Sequence, residues 1–195
     1  DLAGPKCQWP ASSVTIKFKG TAANVKMTTG ERARWQVIVD GNPTQVLPET
    51  RDPILFNLAA NLSDKEHSIT IMKATEAHTG IAQIFGFQLS AGAKLLPVPS
   101  AARKLEIIGD SISCGYGIEA KNQTEHYTPQ TQNVYKTYGA IAARELDADY
   151  VCIAWSGKCI WPQNTIPEIY WRILPFDSKN NWDASGRAPD AIVIN

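Results

Sequence analysis

Histidine and cysteine are scarce in this sequence, with three and four copies in 195 residues. The cysteines, Cys7, Cys114, Cys152 and Cys159, form no Cys-x-x-Cys pair, and none has a histidine at zinc-ligand spacing. No metal site and no cofactor are therefore expected. Charge of one sign is also lacking. Lysine and arginine total 19, as do aspartate and glutamate, so nucleic acid and anionic membrane are not expected as partners. No apolar run approaches the ~20 residues that cross a bilayer. Asp1-Leu2-Ala3-Gly4 carries no signal peptide, which suits a mature form. The chain is rich in apolar residues, at 44 %, enough for sizeable cores.

Those residues are patterned in two ways. From Ser12 to about Ser90 they alternate: Val14, Ile16 and Phe18; Val37 and Val39; Ile69 and Ile71; Ile84, Phe85 and Phe87. Period two predicts strands buried on one face. Turn-forming clusters separate them, and Asp40-Gly41 after Trp35-Gln36-Val37-Ile38-Val39 is the clearest hairpin signal. Roughly eight such strands predict an all-β sandwich or jelly roll over residues 1–100. Leu95 to Arg103, with Pro97 and Pro99, reads as a stiff linker to a second unit over 101–195.

That second unit is organised around Lys104 to Gly117. An apolar run on Leu105, Ile107 and Ile108 predicts a buried parallel strand that ends in Gly109-Asp110-Ser111 at the start of a helix. The carboxyl end of an open α/β sheet is where such folds place their chemistry, and a helix N-terminus favours developing negative charge. Ser111 is the candidate nucleophile. Gly109 permits the turn, Asp110 is placed to cap the helix, and Gly115 and Gly117 keep that helix short. A helix over Tyr138–Leu146, entered from Asn133 or Thr137, crosses to a second strand at Tyr150–Ala154, which runs into Trp155-Ser156-Gly157. A third strand follows at Ala191–Asn195.

Gly109-Asp110-Ser111-Ile112 with Gly115-Tyr116-Gly117, followed some forty residues later by the Gly157 loop, resembles the first two blocks of the GDSL or SGNH hydrolases. These are serine esterases and lipases with a flavodoxin-like α/β three-layer sandwich. More narrowly, the whole length resembles carbohydrate esterase family 2, acetyl xylan esterases that join a jelly roll to an SGNH domain. The resemblance implies an oxyanion hole from the amides of Ser111 and Gly157. It implies an acetylated polysaccharide or oligosaccharide as substrate and a secreted, extracellular enzyme. It also implies a catalytic histidine and a Gly-x-Asn-Asp block that have no counterpart up to Asn195. The expectation is that these residues form the N-terminal part of a longer esterase, whose remaining part is a partner.

A serine hydroxyl needs a base. His67 and His78 fall in the sandwich and read as exposed strand-end or turn residues, while His126 lies in the polar loop Glu119–Thr131. Trp155, Trp161, Trp171 and Trp182 follow the second strand, and Trp161 is the first choice for contact with substrate. In the sandwich, Trp9, Trp35 and Phe56 are candidates for stacking on sugar, although core packing is the commoner fate of Trp35 and Phe56 in their strands. A Cys152–Cys159 bridge that braces the Gly157 loop and a pair of buried free thiols at Cys114 and Cys152 both remain open. Asn61-Leu62-Ser63 and Asn122-Gln123-Thr124 are N-glycosylation patterns. The competing functions are a non-catalytic carbohydrate-binding or scaffold fragment and a lipase or thioesterase of the same superfamily.

Overall fold

The computed structural model describes residues 4–183 and 188–195. The alternating region forms nine strands: β1 (Lys6–Cys7), β2 (Ser13–Gly20), β3 (Ala23–Thr28), β4 (Trp35–Val39), β5 (Asn42–Leu47), β6 (Ile54–Ala59), β7 (Lys65–Lys73), β8 (Ala82–Leu89) and β9 (Lys94–Leu96). They make two antiparallel sheets, in the orders β1-β8-β3-β6 and β5-β4-β7-β2-β9. Inward residues of both sheets meet in one core that includes Phe18, Val25, Met27, Trp35, Val37, Ile69 and Ile71. Register makes this possible: Val14 faces Ile71, Ile16 faces Ile69 and Phe18 faces His67 across β2 and β7, so one parity of each strand is apolar and buried. Asp40 and Gly41 join β4 to β5 with φ of 50° and 79°, the left-handed pair whose twist matches a tight hairpin.

Two side chains in this region, His67 and Trp9, differ from the sequence expectation, while Trp35 and Phe56 pack in the core as their strands predict. His67 is buried, not exposed, because it shares the inward parity of Ile69 and Ile71. Its Nδ1 is 2.7 Å from Asp40 Oδ2 and its Nε2 is 2.8 Å from the Ser63 carbonyl. Trp9 and Trp35 are both buried, so neither offers a face to sugar; the Trp9 indole donates to the Arg172 carbonyl at 2.8 Å. Phe56 packs against the core, half-buried. The stretch assigned to the linker begins inside β9, which pairs with β2 through Leu95 and Leu96.

Beyond it lie β10 (Arg103–Gly109), α1 (Ser111–Cys114), α2 (Tyr138–Glu145), β11 (Ala148–Ala154) and β12 (Ala191–Ile194). The three strands form a parallel sheet in the order β11-β10-β12. Thr137 caps α2 by accepting from the Ala140 amide at 3.4 Å, while Asn133 caps a short 3-10 turn just before it. Leu105 and Ile107 pack under Ala143 of α2. On another side Ile153 meets Trp9, Ile166 and Ile169. Glu106, between two apolar neighbours of β10, is fully buried, and Tyr170 donates its hydroxyl to Oε1 at 2.6 Å.

The sandwich and the parallel sheet are joined through shared packing and several polar side chains, Arg34 among them. Ala11, from the turn before β2, sits with Cys114, Val134, Cys152 and Ala154. Arg34 reaches Glu119 Oε2 at 3.2 Å and the carbonyls of Pro129, Gln130 and Gln132. Such multiple charge-assisted contacts fix the otherwise polar loop against the sandwich.

Candidate active site

Ser111 stands at the first turn of α1, just beyond the end of β10. Gly109 is needed there for space: a Cβ on it would lie 2.1 Å from Ser113 Oγ. Asp110 accepts from the Ile112 amide at 2.9 Å and caps the turn. Gly115 ends it with φ of 74°. With only four residues, α1 has little macrodipole, so the amides of the turn itself supply whatever positive field Ser111 has. The Ser111 hydroxyl has no hydrogen-bond partner among the described residues.

The neighbouring loop leaves the same edge of the sheet. Gly109 pairs with Ala154 in the parallel register, and the Trp155 amide donates to the Gly109 carbonyl at 3.2 Å. Gly157 follows with φ of 77° and open space around its missing side chain. Its carbonyl accepts from Asn164 Nδ2 at 2.9 Å, whereas its amide and that of Ser111 donate to no group among the described residues. At the third strand end, the Asn195 amide donates to the Ile108 carbonyl at 3.0 Å and its side chain to Asp110 Oδ1 at 3.3 Å. The structure thus brings Ser111 and the Gly157 loop to one edge.

Trp161 is 80 % exposed beyond that loop. Trp155 makes an edge contact with Phe176, and Trp171 and Trp182 lean on each other at 5.3 Å. His126 is exposed on the polar loop. The four cysteines are free, which sets aside the Cys152–Cys159 bridge. Cys114 and Cys152 are buried, and burial pushes both thiols up, Cys152 to about 12, so neither is a nucleophile at neutral pH.

The residue that sequence reasoning missed is Glu76, on the turn between β7 and β8. It is fully buried. Its Oε2 accepts from the Ser156 amide at 2.8 Å and its Oε1 from the Ser156 hydroxyl at 2.7 Å. Burial pushes its carboxyl up, but hydrogen bonds from His78 and from the Ser156 amide and hydroxyl outweigh it and hold the group below the usual range. His78 therefore lies beside the Gly157 loop, one residue removed, rather than apart from it; its Nδ1 is 3.5 Å from Glu76 Oε2. Sequence reasoning also passed over Lys73, although it shares the parity of Ile69 and Ile71 and is buried with them. Its ammonium, fully buried and lowered to about 7 by that burial, donates to the carbonyls of Thr75 and Glu76 and to Thr79 Oγ1.

Comparison with known proteins places the chain among carbohydrate esterases. Residues 1–99 match the family described as Carbohydrate esterase 2 N-terminal. The cellulase/esterase CelE of Acetivibrio thermocellus is 39 % identical over 202 residues, covering 100 % of this chain and 25 % of that protein. An acetylxylan esterase / glucomannan deacetylase of Cellvibrio japonicus is 27 % identical over 158 residues, covering 76 % of this chain and 41 % of its own. Among solved structures, a family two carbohydrate esterase from Clostridium thermocellum in complex with cellohexaose superimposes with a TM-score of 0.93 at 38 % identity, over 100 % of this chain and 61 % of the other. The chain belongs to carbohydrate esterase family 2. It spans a quarter to about two fifths of the length of these two curated relatives.

Proposed function

We propose that these residues are the N-terminal part of a secreted serine esterase that removes O-acetyl groups from plant cell-wall polysaccharides. In this reading residues 1–100 are a jelly roll and 101–195 the first half of an SGNH domain. The observation that carries it is the convergence of Ser111 and the Gly157 loop at the β10–β11 edge, set by the pairing of Gly109 with Ala154.

Ser111 Oγ attacks the acetyl carbonyl carbon and passes its proton to a histidine from the remaining part of the enzyme. The amides of Ser111 and Gly157 hold the oxyanion, and a donor of this kind contributes about 2.7–4 kcal/mol to barrier lowering. The tetrahedral species expels the sugar oxygen, which takes the proton from the histidine. Water, deprotonated by the same base, then releases acetate and restores Ser111. The exposed Trp161 offers a ring face to sugar beside the reacting ester.

A second reading, carbohydrate binding without turnover, is favoured by the cellohexaose-bound relative. Acetate release from acetylated xylan and from p-nitrophenyl acetate separates the two, run on the protein and on Ser111→Ala with intact mass recorded. Turnover abolished by Ser111→Ala is the expected result. Turnover equal in both samples overturns the assignment of Ser111, and binding of xylan with no turnover in either favours the second reading.

A further inference from the structure

Between the sandwich and the parallel sheet lies a buried polar network that the hydrolytic scheme above does not use. Its centre is Glu76, and its base is Lys73, whose Nζ holds the 75–79 turn at 2.9 Å from the Thr75 carbonyl, 2.7 Å from the Glu76 carbonyl and 2.9 Å from Thr79 Oγ1. From this turn the Glu76 carboxylate reaches out and takes both donors of Ser156, amide and hydroxyl, at 2.8 and 2.7 Å. Gln132 lies on its other side. Gln132 Nε2 donates to Glu76 Oε1 at 3.3 Å and to the Cys114 carbonyl at 3.1 Å, while its Oε1 accepts from the Glu76 amide at 3.3 Å and from Tyr127 at 2.9 Å. Cys114 is the last residue of the short helix that begins at Ser111.

One carboxylate therefore holds the residue before Gly157 and, through one glutamine, the far end of the helix that carries Ser111. Pinning both the amide and the hydroxyl of Ser156 fixes that residue's frame. The direction of the next amide, that of Gly157, then depends on the Ser156 ψ angle alone. Such directional control is what an oxyanion donor requires, since its value lies in being aimed before charge develops.

We propose that Glu76 is a positioning residue for ester hydrolysis, through which the sandwich aims the Gly157 amide and braces the Ser111 turn. This inference rests on the serine-esterase reading. Glutamine cannot replace it: an amide at position 76 that still accepts from the Ser156 N–H turns its NH2 toward Gln132 Nε2. If Gln132 flips to receive it, the Cys114 carbonyl and the residue-76 amide lose their partners. A group of this kind left unpaired is costly in a buried site.

The test uses the complete polypeptide that carries these residues and the variants Glu76→Gln and Ser156→Ala, alongside Ser111→Ala. Hydrolysis of p-nitrophenyl acetate gives kcat and KM, and amide hydrogen exchange is followed at Ser156, Gly157, Ile107 and Ile153. Expected for Glu76→Gln is a fall in kcat on the order of tenfold to a hundredfold with little change in KM, because misplacement by about 1 Å has that scale of effect. Ser156 exchange should accelerate while Ile107 and Ile153, in the strands, stay protected. Ser156→Ala, which keeps the amide contact, should lose less. A kcat within twofold of the parent, or acceleration of Ile107 and Ile153 together with Ser156, overturns the proposal; the second result would make Glu76 general glue between two bodies. If parent and Ser111→Ala are equally inactive, the esterase reading fails, and Ser156 exchange alone then decides whether Glu76 holds the loop.

Discussion

The Trp155 amide donates to the Gly109 carbonyl at 3.2 Å, the last rung of the ladder between β10 and β11. Beyond it the two chains separate, one into the turn of Ser111 and the other into the loop of Gly157. The width of the gap between Ser111 and Gly157, the proposed nucleophile and oxyanion donor, is thus set by where a parallel ladder ends. Moving that rung by one residue would turn both loops over.

Gly157 occupies a left-handed conformation, φ 77°, with nothing near its absent side chain. Alanine there meets no clash but disfavours the backbone by about 1–2 kcal/mol. Gly157→Ala should either lower the melting temperature by a few degrees or let the loop relax to negative φ and swing the amide away. The first outcome leaves kcat on p-nitrophenyl acetate near that of the parent, and the second lowers it by about tenfold or more. Calorimetry and steady-state kinetics check this together, and a variant unchanged in both would remove Gly157 from the oxyanion hole.

Trp161, 80 % exposed, supports little of the fold. Trp161→Ala should leave stability within about 0.5 kcal/mol of the parent. If a ring face on sugar contributes as much as one on another aromatic ring, roughly 0.5–1.5 kcal/mol, KM for an acetylated xylo-oligosaccharide should rise about two- to tenfold, with p-nitrophenyl acetate kinetics unchanged. Equal effects on both substrates would point to the chemistry instead of the sugar.

His67 is raised above its ordinary value by the hydrogen bond to Asp40 and then by the Ser63 carbonyl, against the opposing effect of burial. A raised histidine stabilises the fold fully below its unfolded value, about 6.5, and loses that contribution as pH rises through the folded value. Lys73, lowered to about 7 by burial, contributes stability that rises with pH above that value, so the parent is read against His67→Gln. The difference in unfolding midpoint in urea between parent and variant should decline as pH rises above about 6.5. A difference that grows over the same interval would contradict the Asp40–His67 pairing.

Much of this was readable from residue order. Period-two runs located the sandwich strands, Asp40-Gly41 located the hairpin, and Gly-Asp-Ser after an apolar run located the strand-to-helix turn of Ser111. These are local signals, carried by neighbours in the chain. Glu76 was invisible for the opposite reason: its partner Ser156 is 80 residues away, and no local pattern announces a contact between a sandwich turn and a sheet loop. Lys73 and His67 were legible in principle, because a polar residue at the inward parity of a strand must find partners once buried. The expectation of an exposed His67 gave weight to residue type where parity should have prevailed.

The network of Lys73, Glu76, Gln132 and Ser156 also bears on how such a protein can be inherited. A boundary drawn by strand count between the sandwich and the parallel sheet looks like a seam at which genes might be cut and rejoined. Yet a sandwich borrowed from elsewhere would arrive without the carboxylate that Ser156 expects, leaving two donors unmet next to Gly157. A graft at that seam therefore keeps the Gly157 loop as it is here only where Glu76 and Ser156 are carried over together.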